Sequence, residues 1–83
     1  MKVLYFAWVR QRTGTGEETI DLPEGVVTVG DLAAHLSQRD EGYAAAFENM
    51  SVIRAAVDQE HVGLDHHLAG AREVAFFPPV TGG

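Results

Sequence analysis

The chain is 83 residues long, which gives room for one small domain and excludes an enzyme built from two domains around a cleft. Its formal net charge is -6 and it contains no basic run, so neither nucleic acid nor an anionic membrane is an expected partner. Because the sequence has no cysteine, it forms no disulfide and no thiolate metal site, and the expected location is the cytoplasm.

The start of the sequence predicts a β-hairpin. Residues 3–9 are apolar, many of them β-branched or aromatic, and predict a buried strand that is too short to span a membrane. Turn-forming residues 13–16 follow, and residues 18–22 alternate polar with apolar side chains before Pro23. We therefore expect a second, half-exposed strand over residues 18–22.

Helical spacing dominates the middle of the sequence. Thr28 is a candidate N-cap with Asp31 three residues on, and apolar residues then recur at helical intervals as far as Leu36. This pattern predicts the main helix. Residues 43–47 are helix formers and predict a short second helix that ends near Asn49.

The second half predicts strands at residues 51–57, 61–62 and 73–77, with a turn at 58–60 and a loop at 65–70. The last strand stops at Pro78 and Pro79, which cannot donate ladder hydrogen bonds. This order predicts an α+β, ubiquitin-like β-grasp fold, a mixed sheet of four to five strands around one main helix. The two most apolar strands, the first and the last, are expected side by side at its centre.

Candidates for side-chain catalysis are weak. Gly14 and Gly16 lie in a turn that lacks the dinucleotide and phosphate-loop patterns. His66 and His67 are sequence neighbours without a second pair at metal-ligand spacing, and no nucleophile elbow surrounds the serines. We therefore predict no catalytic side chain, no bound cofactor and no metal site.

The end of the chain is its most unusual segment. A domain over residues 1–77 is followed by an extended tail, residues 78–83, in which Pro78 and Pro79 stiffen the backbone. At roughly 3.3 Å per residue this tail reaches roughly 20 Å, far enough to enter another protein. Gly82 and Gly83 carry no Cβ, so a narrow channel can close around them and bring the last carboxyl group to a buried reaction centre.

The sequence resembles the family of molybdopterin synthase small subunits. The members of this family are sulfur carriers. The resemblance rests on residues 3–7 with Val9 and Arg10, on residues 55–59, on residues 65–68 and above all on residues 73–83. It spans nearly the whole chain, and the terminal block is its specific part, since a Gly-Gly end alone also fits the thiamin sulfur carrier and ubiquitin-like modifiers.

The resemblance implies a function in molybdenum cofactor biosynthesis. An ATP-dependent adenylyltransferase would activate the Gly83 carboxyl group, and a sulfur donor would then convert it to a thiocarboxylate. The large synthase subunit would receive the tail, and sulfur would pass to a pterin precursor to form the molybdopterin dithiolene. The resemblance also implies a heterotetramer of two small and two large subunits. ATP would be used by the activating enzyme, with no cofactor bound by this chain.

Docking to these partners is expected around the root of the tail. If the first and last strands pair, Phe6 and Phe77 lie close together and form an aromatic patch with the tail residues Pro78, Pro79, Val80 and Thr81. The alternative is that one or both phenylalanines fill the core. His61 stands where the family usually has an apolar residue, which predicts a less apolar and mildly pH-sensitive edge of the interface.

Two other classes of function remain open from the sequence. The chain fits a sulfur carrier of another pathway, of the thiamin type, or a ubiquitin-like protein modifier. It also fits a plain β-grasp binding module whose tail has no function. Lys2 is the only lysine, which argues against a modifier that forms chains through its own lysines.

Overall fold

Five strands and three helices make up residues 1–79, the part of the chain that the computed structural model describes. In chain order they are β1 (Lys2–Tyr5), α1 (Ala7–Thr13), β2 (Glu17–Thr19), α2 (Val29–Ser37), α3 (Glu41–Ala46), a 3-10 turn (Met50–Val52), β3 (Arg54–Val57), β4 (Glu60–Val62) and β5 (Glu73–Phe77).

The strands form one mixed sheet in the order β2-β1-β5-β3-β4. β1 and β5 run parallel at its centre, whereas β2, β3 and β4 pair antiparallel with their neighbours. The predicted β-grasp fold is confirmed, including the adjacency of the first and last strands. In residues 1–79 the main helix α2 is accompanied by two shorter helices, α1 and α3.

The core lies between one face of the sheet and the helices. Val3 and Tyr5 of β1 and Val74 and Phe76 of β5 are buried at alternate positions and share one core cluster with the apolar side of α2. The Tyr5 and Phe76 rings stack with their centroids 6.4 Å apart, and the Phe47 ring meets Phe76 edge-on at 5.0 Å. The opposite face of the sheet, here called the open face, carries the remaining alternate residues.

The start of α2 is confirmed in detail. The Thr28 side chain accepts a hydrogen bond from the Asp31 N–H at 3.1 Å, and the Asp31 carboxylate accepts one from the Thr28 N–H at 3.1 Å. This reciprocal capping box satisfies two N–H groups that have no partner inside the helix. The apolar residues at positions 29, 32, 33 and 36 are all buried, as their spacing predicts.

The predicted first strand over residues 3–9 is wrong in its second half. β1 ends at Tyr5, and Ala7, with a φ of 53°, turns the chain into α1. Val9 is fully buried, but it is buried on a helix. An apolar run that is too short to show a period fits a strand and a buried helical turn equally well. The expected hairpin turn contains Gly14, which is the left-handed C-cap of α1, with a φ of 82°.

Three other predicted boundaries shift. β2 ends at Thr19, although Ile20 still donates its N–H to the Met1 carbonyl oxygen at 2.9 Å. The second helix begins earlier than predicted, because the Asp40 side chain caps it by accepting the Tyr43 N–H at 3.0 Å. Residues 51–53 are not strand. The Asn49 side chain accepts the N–H of residue 51 and starts the 3-10 turn there.

After residue 54 the predicted strands and turn are found, although β4 begins at Glu60, one residue earlier than predicted. β5 has the predicted bounds, and the turn between β3 and β4 contains Asp58 and Gln59 at φ values of 49° and 70°. Such paired left-handed residues match the twist of a tight hairpin. The Asp58 carboxylate accepts the N–H groups of Arg72 and Glu73 at 2.9 and 3.0 Å, and so fixes the start of β5.

Candidate functional site

The end of β5 lies beside the end of β1. Tyr5 is paired with Phe76 in the parallel ladder, and the Phe6 N–H donates a hydrogen bond to the Phe76 carbonyl oxygen at 3.1 Å. This bond continues the ladder one residue past β1. The backbone of Phe6 is therefore beside the end of β5, where Phe77 follows and the chain leaves the sheet.

Neither Phe6 nor Phe77 belongs to the buried core. Phe76 is buried among the helices, so strand alternation directs Phe77 to the open face, where it is half-buried. Phe6 follows buried Tyr5 with an extended backbone and is 48% exposed. The Phe6 ring is therefore free to contact another molecule beside the end of β5.

His61 contacts the same surface from the edge strand β4. Ala56 of β3 is paired with His61 on one side and with Ala75 of β5 on the other. Because both alanines are small, the His61 ring reaches the Phe77 ring, and the two centroids are 5.2 Å apart. His61 is exposed, and its imidazole ring is tilted by 51° against the Phe77 ring.

Arg54 lies next to Phe77 on β3, the strand between β5 and the edge strand β4. The two residues are direct partners in the β3–β5 ladder, and Arg54 alternates with core residue Ala55 onto the open face. Its Nη1 donates to the carbonyl oxygens of Ser51 and Ile53 at 3.1 and 3.2 Å. We call the surface around this pair the tail-exit face; it consists of Leu4, Phe6, Arg54, Ala56, His61, Ala75 and Phe77.

The tail begins at the edge of this face. Pro78 and Pro79 are half-buried and follow β5 directly, where their missing N–H groups end the ladder. Val80, Thr81, Gly82 and Gly83, which sequence analysis selected as tail and reaction residues, lie outside the described residues. The division into a domain over residues 1–77 and a tail over 78–83 stays a prediction.

A polar cluster on the helical side supports β1, the strand that precedes Phe6. Glu18 of β2 accepts hydrogen bonds from the hydroxyl groups of Tyr5 at 2.9 Å and Tyr43 at 2.6 Å, and it also pairs with Arg39. The cluster links β1, β2 and α3, and the Tyr5 ring also stacks on Phe76. Glu18 thereby fixes β1, which leads to Phe6, against β2 and α3.

The charge of Glu18 is stabilised where it lies. Partial burial raises the pKa of its carboxyl group, but hydrogen bonds from Tyr43, Arg39 and Tyr5 outweigh burial, and the pKa is lowered overall. Burial and the neighbouring Glu18 carboxylate raise the pKa of both tyrosines. The tyrosines therefore keep their protons and act as donors to an ionised Glu18.

Comparison with known proteins defines the family. The model of the ThiS family matches residues 3–83. The chain belongs to the ThiS family. The resemblance to sulfur carriers that the sequence suggested is thus confirmed.

Curated relatives of this ThiS-family chain carry one name. The molybdopterin synthase sulfur carrier subunit of Escherichia coli is 45% identical over 100% of this chain and 99% of that protein. The subunit of the same name from Haemophilus influenzae is 34% identical over 100% of this chain and 99% of its own length, and the one from Homo sapiens is 34% identical over 100% and 93%.

Solved structures share the fold over the same length. SAMP1 from Haloferax volcanii superposes with a TM-score of 0.71 at 28% identity, covering 100% of this chain and 98% of that one. A putative molybdopterin converting factor, subunit 1, from Pyrococcus furiosus gives a TM-score of 0.64 at 30% identity, with 95% of each chain covered.

Residues 1–79 of this ThiS-family chain contain neither a metal-binding group nor a membrane-spanning helix. Among residues 1–79, no three His, Asp or Glu side chains are grouped so that they could hold a metal ion. No helix in the same part of the chain has both the length and the apolar character that crossing a bilayer requires.

Sequence analysis missed two residues that the structure brings to this region, Arg54 and Glu18. A period-2 reading of the third strand does assign Arg54 and Ala56 to one face. What the sequence lacks is the register that sets Arg54 opposite Phe77, because pairing between distant strands leaves no local pattern. Glu18 was seen only as an alternating polar residue, and its partners Tyr43 and Arg39 are far away in the sequence.

Proposed function

We propose that this chain is the sulfur carrier subunit of a molybdopterin synthase. The observation that carries the proposal is similarity along the entire chain to proteins of that name, with the family match continuing through residue 83. The fold adds that β5, the strand that leads into the tail, ends beside an exposed aromatic surface. A carrier needs this combination, because its partners must hold the domain while they handle its end.

The reacting group in this proposal is the Gly83 carboxylate. A carboxylate is a poor electrophile, so the ATP-dependent adenylyltransferase joins its oxygen to AMP and releases pyrophosphate. A sulfur donor then attacks the acyl carbon and displaces AMP, which leaves a thiocarboxylate. At the large synthase subunit this sulfur passes to a pterin precursor for the dithiolene, and attack of water on the acyl carbon of Gly83 releases the carrier and restores its carboxylate.

The other predicted site residues help to bring the Gly83 carboxyl group to the partner. Gly82 and Gly83 keep the end of the tail narrow, and Val80 and Thr81 contact the partner where the tail enters it. Phe6, His61 and Phe77, with Pro78 and Pro79, form the docking surface at its root. Catalytic side chains are then needed only on the partners.

Charge supports the same division of roles. The chain has a net charge of -6, and its terminal carboxylate adds to the negative charge at the reaction centre. The positive groups that stabilise ATP or an anionic pterin therefore come from the adenylyltransferase and from the large subunit. A heterotetramer with two large subunits and a location in the cytoplasm belong to this proposal.

The proposal is tested by intact-mass spectrometry. The chain is incubated with an activating enzyme, ATP and a sulfur source, and its mass should increase by the difference between sulfur and oxygen. The E. coli carrier serves as the positive control, and a variant without Gly83 and a reaction without ATP serve as negative controls. If the E. coli carrier gains sulfur and this chain does not with its own activating enzyme, the proposal is wrong.

A protein modifier is the second candidate, because the fold is shared over the whole chain with SAMP1, the small archaeal modifier protein 1 of H. volcanii. Tail activation is common to both functions, so only the acceptor distinguishes them. Conjugates of this chain to lysines of many proteins would favour the modifier, whereas sulfur transfer to a pterin precursor would favour the carrier.

A further inference from the structure

Arg54 is a cation at the root of the tail in an otherwise acidic chain. It is exposed, and it is the ladder partner of Phe77, the last residue of β5. Among the residues of the tail-exit face, Arg54 is the one arginine, and the face contains no lysine. Within residues 1–79 it forms no ion pair with a carboxylate.

Three of the five other Lys and Arg side chains are engaged within the described part of the chain. Lys2 pairs with Glu17 at 3.3 Å, and Arg39 pairs with Glu18. The Arg12 guanidinium lies 4.6 Å from the centre of the Trp8 ring and donates to a backbone carbonyl of α3. These contacts engage three cations locally. Arg10, Arg54 and Arg72 form no ion pair within residues 1–79, and of these three only Arg54 lies on the tail-exit face.

We propose that Arg54 is a partner-recognition residue that pairs with a carboxylate on the large synthase subunit. This inference rests on the proposed function and names the chemistry of the partner surface, which is apolar opposite Phe6 and Phe77 and acidic opposite Arg54. The pairing fixes how the domain is oriented while the tail is inserted.

The hydrogen bonds of Arg54 prepare it for such a contact. Both of its side-chain hydrogen bonds leave from Nη1, to the carbonyl oxygens of Ser51 and Ile53. These bonds hold the guanidinium group in place and leave Nη2 and Nε as a two-donor fork, the arrangement that binds a carboxylate through both oxygens. Less side-chain entropy is then lost on binding.

Burial makes a counter-charge necessary. A protein that takes the tail covers Phe77, and Arg54 beside it loses water in the same contact. A guanidinium group that is desolvated without a partner is costly, whereas one that meets a carboxylate in good geometry is not. A partner with only apolar residues opposite Arg54 would therefore bind weakly, which turns Arg54 into a selector of the correct partner.

Long-range charge and this local pair act differently. The net charge of -6 attracts a basic partner from a distance and affects the association rate. A single cation in the contact region favours one orientation, because it must meet a carboxylate at a defined position. Removing any one exposed arginine changes the net charge equally, but only removal of Arg54 changes the contact.

The test measures binding of the full chain to its own large subunit by calorimetry. The variants are Arg54→Leu and Arg54→Lys, and the matched control is Arg72→Leu. Arg72 is also exposed but lies before β5, at the opposite end of the sheet from the tail, and the bonds described for it are made by its backbone. We expect Arg54→Leu to weaken binding about tenfold or more, Arg54→Lys to restore part of the loss, and Arg72→Leu to change it less than about threefold.

The outcomes separate this inference from the proposed function. Binding of Arg54→Leu equal to or tighter than wild type would overturn the inference while leaving the carrier function intact. A variant that binds the large subunit normally but is adenylated poorly would also overturn it, since the charge would then serve the activating enzyme. A wild-type chain that gains no sulfur and binds no large subunit would contradict the proposed function itself. Thermal melts of each variant confirm that the domain is folded.

Discussion

The His61 ring lies tilted against the Phe77 ring, with the two centroids 5.2 Å apart. The contact exists because Ala56, on the strand between them, and Ala75, next to Phe77 on the same face of β5, are too small to separate the rings. Phe77 is thereby held half-buried on the open face of the sheet. A polar ring in this place makes one edge of the tail-exit face less apolar than a leucine would.

Replacing His61 with leucine should strengthen docking. A leucine offers more apolar surface beside Phe77, and its burial contributes about 1 kcal/mol more than that of a histidine, which corresponds to about threefold to tenfold tighter binding. Calorimetry with the large subunit measures the change. His66→Leu, in the exposed loop that contacts the start of α2, is the matched control and should leave affinity unchanged. Weaker binding of His61→Leu would show that the imidazole itself makes a polar contact with the partner.

Glu18 should make the domain sensitive to acid. Its carboxyl pKa is lower in the folded chain than in the unfolded one, so the stability that it contributes is present above the unfolded value of about 4.3. This contribution is lost as the pH falls through the lower, folded value. Asp31 shifts in the same direction because backbone N–H groups of residues 27 and 28 hold its charge.

Urea unfolding of the wild type and of Glu18→Gln, at about pH 7 and about pH 3, tests this linkage. The variant should be less stable at neutral pH and should lose less stability on acidification than the wild type. Some acid sensitivity remains in the variant because of Asp31. Glu17→Gln, which removes an exposed ion pair with Lys2, is the control and should lose stability on acidification much as the wild type does. Equal losses in wild type and Glu18→Gln would contradict the role assigned to the cluster.

Gly42 should not tolerate alanine, although it lies in helix α3. In an ordinary helix this exchange stabilises by up to about 1 kcal/mol. Here a Cβ at position 42 would overlap the Arg12 carbonyl oxygen at the end of α1. Because that neighbour is backbone, it cannot move aside cheaply, and we expect a net loss of about 1–3 kcal/mol in the free energy of unfolding.

Thermal and urea unfolding of Gly42→Ala measure this loss. Ala44→Ser, at an exposed position of the same helix, is the control and should change stability by less than about 0.5 kcal/mol. A Gly42→Ala chain that is more stable than the wild type would mean that α1 and α3 are not packed as closely as the structure has them.

Much of the fold could be predicted from the spacing of apolar residues. The capped helix α2 and the strand β5 show clear spacing and clear stop signals, and both are found where the sequence predicts them. Helix α1 was missed because its apolar residues continue those of β1, and only the left-handed backbone at Ala7 separates the two. The signal that was available is Gly14, which follows arginines and suits a helix C-cap as well as a hairpin turn.

The candidate site was predictable only where the sequence specifies it locally. Phe6 and Phe77 could be placed together because the two most apolar strands tend to pair at the centre of a sheet. The ladder that sets Arg54 against Phe77, and the reach of His61 over Ala56, depend on long-range register. The sequence contains these residues but not their pairing.

Removing Gly82 and Gly83 should separate docking from chemistry. The core cluster and the tail-exit face lie within residues 1–79, so the shortened chain should melt at the wild-type temperature and bind the large subunit within about threefold of wild type. It should gain no sulfur, because the carboxyl group would end before the reaction centre. Mass spectrometry, thermal unfolding and calorimetry on one preparation measure all three properties. The full-length Arg54→Leu variant is the complementary control, since it should gain sulfur yet dock poorly. A shortened chain that still delivers sulfur would show that the reactive group is not the final carboxylate.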